Sequence, residues 1–229
     1  MNTDGLPRAA MLLSFDVAAE ARLEHDDWHS HEHLPERLAI PGFRRGSRWT
    51  VLAGGPAYFV MYEVGELGVL SSPAYMDRLN HPSPWTAKMM PSYRGMRRGL
   101  CEIVARSGHG LGGFGLLLRL DVEPHSQARV CEWLAGEVLP ALTAQTGLAS
   151  AVLFRSGLQA ALTVEQRIRG QDAGVDAALL VSGFARSSID AMASGALRPS
   201  ELEQRGASVA SVATYQLVHC LSDRDLAAA

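Results

Sequence analysis

MLLSFDV, residues 11–17, and LLLRLDV, residues 116–122, are two versions of one phrase. The offset of 105 residues runs on without a gap: Asp16 pairs with Asp121, Trp28 with Trp133, Leu34 with Leu139, Pro35 with Pro140, and Gly42 with Gly147. A constant offset over more than thirty positions, including a Trp and a Pro, marks an internal repeat, and such a repeat sets the architecture.

Each copy reads alike. Met11, Leu13, Phe15 and Val17 alternate with Leu12, Ser14 and Asp16, the period of two of a strand. A helix follows, about Ala18 to Leu38 in the first copy and His125 to Ala144 in the second, and Pro35 and Pro140 kink or restart its last turn. Two strands come next, FRRGSRWTVL and AYFVMYEV, joined by the turn AGGP. SSPAYMDRLN opens on a Ser cap and predicts a second helix, and a last strand lies within GMRRGLCEIVAR. Copy two supplies LASAVLFRS, AALLVSGFA, the short helix SSIDAMAS and the strand ASVATYQLVHC, with a longer middle loop over Gly157 to Asp176. The order β-α-β-β-α-β is ferredoxin-like. The expected fold is α+β: modules at 9–106 and 114–221, linked by 107–113, whose antiparallel sheets pack face to face as an intramolecular α/β barrel.

Composition narrows the function. Hydrophobic residues are 47% and charged residues 20% of the 229, enough for a full core. The net charge of −3, without a Lys/Arg-rich block, speaks against nucleic acid as a partner. Three scattered cysteines without a CxxC suggest neither a disulfide framework nor a cysteine zinc site. The run AAMLLSF is too short for a transmembrane helix and lacks the flanks of a signal peptide, so no membrane partner and a cytoplasmic location are expected.

The repeat is also an internal control. In copy two the first helix presents Val130, Trp133, Leu134, Val138, Ala141 and Leu142 as an apolar stripe. The twins in copy one are His25, Trp28, His29, His33, Glu36 and Arg37. Copy one has therefore put imidazoles and charges where a sheet-facing stripe belongs, at about 1–3 kcal/mol for each group left unpaired. His29 and His33, one turn apart with Glu32 beside them, are expected to line a cavity. Trp28 is expected in the core and His31 in solvent.

His29-x-x-Glu32-His33 matches a metallopeptidase pattern, but Pro35 interrupts the helix and no third ligand is evident. Acid–base chemistry fits better: imidazole titrates near neutrality, and a neighbouring carboxylate can fix its tautomer. Tyr58 and Tyr62, which alternate on one strand face, and Trp49 and Tyr93 are candidate companions. Arg37, Arg44, Arg45 and Arg48 are candidate anion binders, and His81 and Trp85, in the Pro-rich NHPSPWT, candidate rim residues. No P-loop, dinucleotide fingerprint or G-x-S-x-G elbow is present.

WHSHEHLPERLAIPGF, residues 28–43, resembles the Trp-His, His-x-Pro and Pro-Gly-Phe signature of the EthD-like group of dimeric α/β-barrel proteins, and SPAYMDRLNHPSPWT is similar to its second-helix region. The resemblance covers residues 9 to 106, and copy two follows it in outline only. It implies a barrel made of two such sheets, here within one chain, and a ligand pocket between helices and sheet. Proteins of this fold include cofactor-free cyclases, lactone isomerases, small monooxygenases, dehydratases and decarboxylases, and haem-binding proteins. Leu134 and Val138 in place of histidines put a second site in doubt.

The sequence thus leads to a cofactor-independent acid–base enzyme of isomerase, cyclase, dehydratase or monooxygenase type, acting on a small cyclic or polyketide-like molecule. His29 or His33 would be the base and Glu32 its orienter, with Trp28, Arg37, Trp49, Tyr58, Tyr62, His81 and Trp85 around the substrate. One alternative is a haem- or divalent-metal-binding protein using His25, His29 and His33. Another is a non-catalytic binding or assembly module. A homodimer of the fused barrel is compatible with either.

Overall fold

A computed structural model of the chain describes residues 6–158, 164–169, 177–193 and 199–227. The first half runs β1 (Ala9–Val17), α1 (Arg22–Trp28), α2 (Leu34–Leu38), β2 (Phe43–Ala53), β3 (Tyr58–Val64), α3 (Pro73–Asn80), α4 (Pro84–Met89) and β4 (Tyr93–Gly108). The second half repeats it: β5 (Phe114–Val122), α5 (Gln127–Trp133), α6 (Leu139–Thr143), β6 (Leu148–Leu158), α7 (Val164–Arg169), β7 (Ala177–Gly183), α8 (Arg186–Ala193), α9 (Pro199–Glu203), β8 (Ala207–Ser222) and α10 (Asp223–Ala227). The long middle loop of copy two falls partly outside the described residues, but α7 lies within it.

All eight strands pair antiparallel in the closed order β1-β3-β2-β8-β5-β7-β6-β4. Each half is a four-stranded ferredoxin-like sheet. The two inner faces meet across the barrel, and the outer edges also hydrogen-bond to each other, β2 to β8 and β4 to β6. Closure leaves no strand edge open among the described residues, which removes the template an edge offers to another chain.

The period of two in β1 sorts its side chains. Met11, Leu13, Phe15 and Val17 pack against the helices of the first half. Ala10 and Leu12 point inward, meeting Trp49, Phe59, Met61, Phe154, Leu180 and Tyr215 in a core shared by both halves. Leu116, Leu118 and Leu120 pack under the helices of the second half.

The prolines shape the long helix. Pro35 lacks an N–H, and its ring would strike the carbonyl four residues back. The chain answers with a widened turn over His29–His33, closed by the Leu34 N–H donating to the His29 carbonyl five residues back, then restarts as α2. The second half does the same over Leu134–Val138, where the Leu139 N–H donates to the Leu134 carbonyl. Wide turns often sit at functional sites. Here both halves have one, with and without histidines, so the proline is its cause. Gly42 and Gly147, with φ of 96° and 89°, turn each helix into the next strand through a conformation that favours glycine. No helix among the described residues is long and apolar enough to cross a membrane.

Candidate active site

The wide turn has a second effect. Residues four apart drift around a 3.6-residue helix, and one broader turn takes up that drift. His25, His29 and His33 consequently all face the sheet and are 0%, 2% and 7% exposed. Trp28, between them, is fully buried and stacks on His33, ring centroids 4.4 Å apart. His31 points to solvent beside Asp27. The expected stripe is present, and it is polar.

Strand β3 supplies the opposing wall. Tyr62 Oη lies 3.3 Å from His29 Nε2, and Tyr58 stacks on Phe15 with its ring tilted 4.7 Å from that of His25. His25 is held at both nitrogens, by Asp26 Oδ1 at 3.1 Å and Tyr93 Oη at 3.2 Å. Asp26, also bonded to Tyr58, lies 3.8 Å from Arg48, which donates to the Asp26 carbonyl at 2.9 Å. Arg48 lies on β2, opposite His219 of β8, so the second half reaches the cluster through the closed edge.

His29 Nδ1 is buried and has no hydrogen-bond partner in the protein, and Nε2 faces Tyr62. The expected orienter, Glu32, is not that partner. Glu32 Oε1 instead accepts from Trp28 Nε1 at 3.1 Å, Ser83 Oγ at 2.5 Å and Thr86 Oγ1 at 3.3 Å. This oxygen joins the long helix to the start of α4, whose cap is Ser83. Glu32 therefore builds the wall behind Trp28.

The electrostatics favour a neutral base. Burial first, then the positive fields of His25, Arg48, His219 and Arg37, hold His29 well below the usual imidazole range. Burial also lowers His25, against the pull of Asp26. Burial resists ionisation of Asp26, yet His25 and Arg48 outweigh it and keep this carboxyl below its ordinary value. Burial and the Asp26 charge push Tyr58 up to about 12, and burial raises Tyr62 further, so both remain phenols.

Arg37, expected as a free anion binder, is 2% exposed and engaged. Its Nη2 donates to Glu165 Oε1 at 2.5 Å, with Glu36 at 3.9 Å from Nη1. Glu165 lies on α7, in the extra segment of the second half, and is itself 2% exposed. Burial opposes the Arg37 charge, but Glu165 outweighs that and raises its pKa. Nothing in the sequence paired residues 128 apart; a lone Glu in a polar loop carries no such signal.

Three further residues of the expected site are placed as follows. Trp49 lies on the opposite face of the sheet, inside the barrel, because β2 alternates: Arg48 faces the helices and Trp49 the interior. His81 is exposed beside Asp77, one turn back at the end of α3. Trp85 is partly buried, with its indole donating to Glu24 at 3.1 Å, so it braces α4. Among the described residues no group of three or more His, Cys, Asp or Glu is arranged to hold a metal, so the expected set His25, His29 and His33 does not assemble as one. Asp26 and His219 were missed. Arg48, a candidate anion binder in the sequence, contacts Asp26, and the closed β2–β8 edge brings His219 opposite it.

Among the described residues the second half has no equivalent site. Tyr58 pairs with Phe15 and Ala177 with the twin Leu120; Tyr62 pairs with Met11 and Val181 with the twin Leu116. Both tyrosines thus become aliphatic where the histidines do.

No family model matches the sequence, and no curated protein matches it. Solved structures are similar in fold. An anthrone oxidase-like protein aligns with a TM-score of 0.68 at 10% identity, over 97% of this chain and 96% of that one. A protein of Fusobacterium nucleatum subsp. nucleatum, described as a candidate monooxygenase, gives 0.61 at 8% over 95% of each. A haem-binding protein from Thermus thermophilus gives 0.51 at 10%, over 97% and 95%. At these identities the likeness is one of fold: a ferredoxin-like α/β barrel along nearly the whole chain.

Proposed function

We propose that this chain is an enzyme that removes a proton from an activated carbon of a small, planar, cyclic molecule, with His29 as the base and no nucleotide cofactor. It would be a two-module fusion related to the EthD-like group, with modules at 9–106 and 114–221 and its site in the first. The observation that carries this reading is the fully buried imidazole of His29 with one nitrogen unpartnered. Whichever group donates in the His29–Tyr62 bond, one buried polar atom of the ring is left over, at about 1–3 kcal/mol. With Nε2–H donating to Tyr62 Oη, Nδ1 carries a lone pair.

The proposed step is a simple transfer. The C–H proton moves to Nδ1, and the electron pair passes to the substrate carbonyl as an enolate. Arg48 and Arg37, whose charges depress the pKa of His29, stabilise that anion. A base of lowered pKa is weak, so it suits carbon acids already activated by an aromatic ring or two carbonyls. The enolate then takes a proton at another carbon, expels a leaving group, or is captured by dioxygen as co-reactant. These are the isomerase or cyclase, dehydratase and monooxygenase outcomes.

A haem would need one neutral imidazole with an open nitrogen, which His29 supplies. It would also need a broad flat slot. The rings of His25, Trp28, His33 and Tyr62, with centroids 5.7–6.4 Å from that of His29, crowd these surroundings and oppose such a slot.

The test is hydrogen–deuterium exchange at the activated carbon of anthrone and related cyclic ketones, followed by NMR, with oxygen uptake measured alongside. Exchange should exceed the buffer rate and fall about 10²–10⁴-fold in His29→Ala. Equal exchange in the parent and the variant removes the base. A Soret band in protein purified without a His-tag would replace this reading with haem binding.

A further inference from the structure

We propose that the mouth of the barrel is a second binding site, for an amphiphilic organic anion such as a carboxylate on an apolar body. The reading is independent of the His29 site. A cavity of about 1140 Å³ opens at the end where β1, β2, β5 and β6 start and β3, β4, β7 and β8 finish. Met61, Ile103, Leu111 and Val152 supply its apolar wall. None of the histidines of the first site lines it.

Its rim is basic. Arg8, Arg44, Arg45, Arg106 and Arg224 surround the cavity against two carboxylates, Glu63 and Asp223. The chain as a whole is negative, so this concentration of arginine runs against its overall charge. Glu63, 1% exposed, accepts from Arg45 at 2.5 Å and from Arg106 at 2.8 Å, which fixes both guanidinium groups at the wall. Arg106 Nε remains buried without a hydrogen-bond partner in the protein. Arg44 reaches Asp223 at 3.1 Å, and Arg224 has no carboxylate partner among the described residues. An apolar body inside and an anionic head at the rim would satisfy both parts, since guanidinium groups favour planar carboxylates.

The experiment titrates the full chain calorimetrically with octanoate, and with octanol as its uncharged counterpart. Octanoate should saturate one site per chain and octanol should bind at least about tenfold more weakly. The double variant Arg44→Glu/Arg224→Glu, both at exposed positions, should weaken octanoate about tenfold or more and leave octanol unchanged. Ile103→Trp should weaken both ligands by filling the wall. His29→Leu should bind octanoate like the parent, and the double variant should retain the parent's proton-exchange rate. Absence of saturable octanoate binding, equal affinity for octanol, or octanoate binding that the arginine variant leaves unaltered would overturn the assignment.

Discussion

Removing the Glu165 carboxylate tests the buried ion pair between the two halves. Glu165→Ala leaves the Arg37 guanidinium in a site 2% exposed, with Glu36 at 3.9 Å as its nearest remaining carboxylate. Unit charges about 4 Å apart interact by about 4 kcal/mol at an effective dielectric of about 20, and deleting one partner of a buried pair typically costs about 3–5 kcal/mol. In a chain of this size about 2–4 °C accompany each kcal/mol, so a fall in Tm of roughly 6–20 °C is expected by calorimetry. The apolar double variant Arg37→Met/Glu165→Leu should recover most of the loss, because it strands no charge. The His29 base should survive in both, with exchange kinetics altered in the double variant by the lost Arg37 field. A Glu165→Ala variant within about 1 kcal/mol of the parent in urea unfolding would mean that solvent reaches Arg37 and that the pair is not a buried clamp.

Two other substitutions probe the cluster. His29→Leu copies Leu134 of the second half and should abolish proton exchange while raising stability by about 1–3 kcal/mol, because the unpartnered nitrogen is gone. The parent's His29 resists protonation when folded and accepts a proton near pH 6.5 when unfolded, so its contribution is whole above 6.5 and is lost as the pH falls below that value. Unfolding curves between about pH 7.5 and 5 should show that loss in the parent and a smaller one in His29→Leu, and the acid limb of the exchange rate should lie below 6.5. Glu32→Ala strands the donors of Ser83 and Thr86, leaves Trp28 Nε1 only Thr86 Oγ1 at 3.3 Å, and should cost about 2–4 kcal/mol by denaturant unfolding, with a red-shifted Trp emission as α4 loosens. No loss would mean that water replaces the carboxylate.

The fold was legible because the chain states it twice. Neither copy alone distinguishes a short amphipathic helix from a strand with full security, but Trp28 with Trp133 and Pro35 with Pro140 fix both register and phase. The same comparison found His25, His29, His33, Trp28 and Arg37 on the buried face. It failed where the answer depends on partners distant in sequence. Trp49 was misplaced because a strand buried on both faces gives no sign of which face meets the helices. Glu32 looked like a partner for an imidazole because adjacency along a helix suggests contact, whereas its side chain reaches α4. Asp26 and Glu165 carry no signal in the sequence, because their arginine partners come from β2 and from the other half of the repeat.

The order of pairing around the ring also dictates how the molecule is made. Strand β2 pairs with β8, the last strand of the chain, and β4 waits for β6. During synthesis the first half presents two unpaired edges until the second has emerged, and contacts this distant in sequence form slowly. Its histidines are translated early, yet the strand that brings His219 opposite Arg48 and the helix that brings Glu165 to Arg37 come late. A truncated chain ending at the linker would hold the base with Arg37 and Arg48 but without His219 and Glu165, so the complete ring and the fully tuned site arise together.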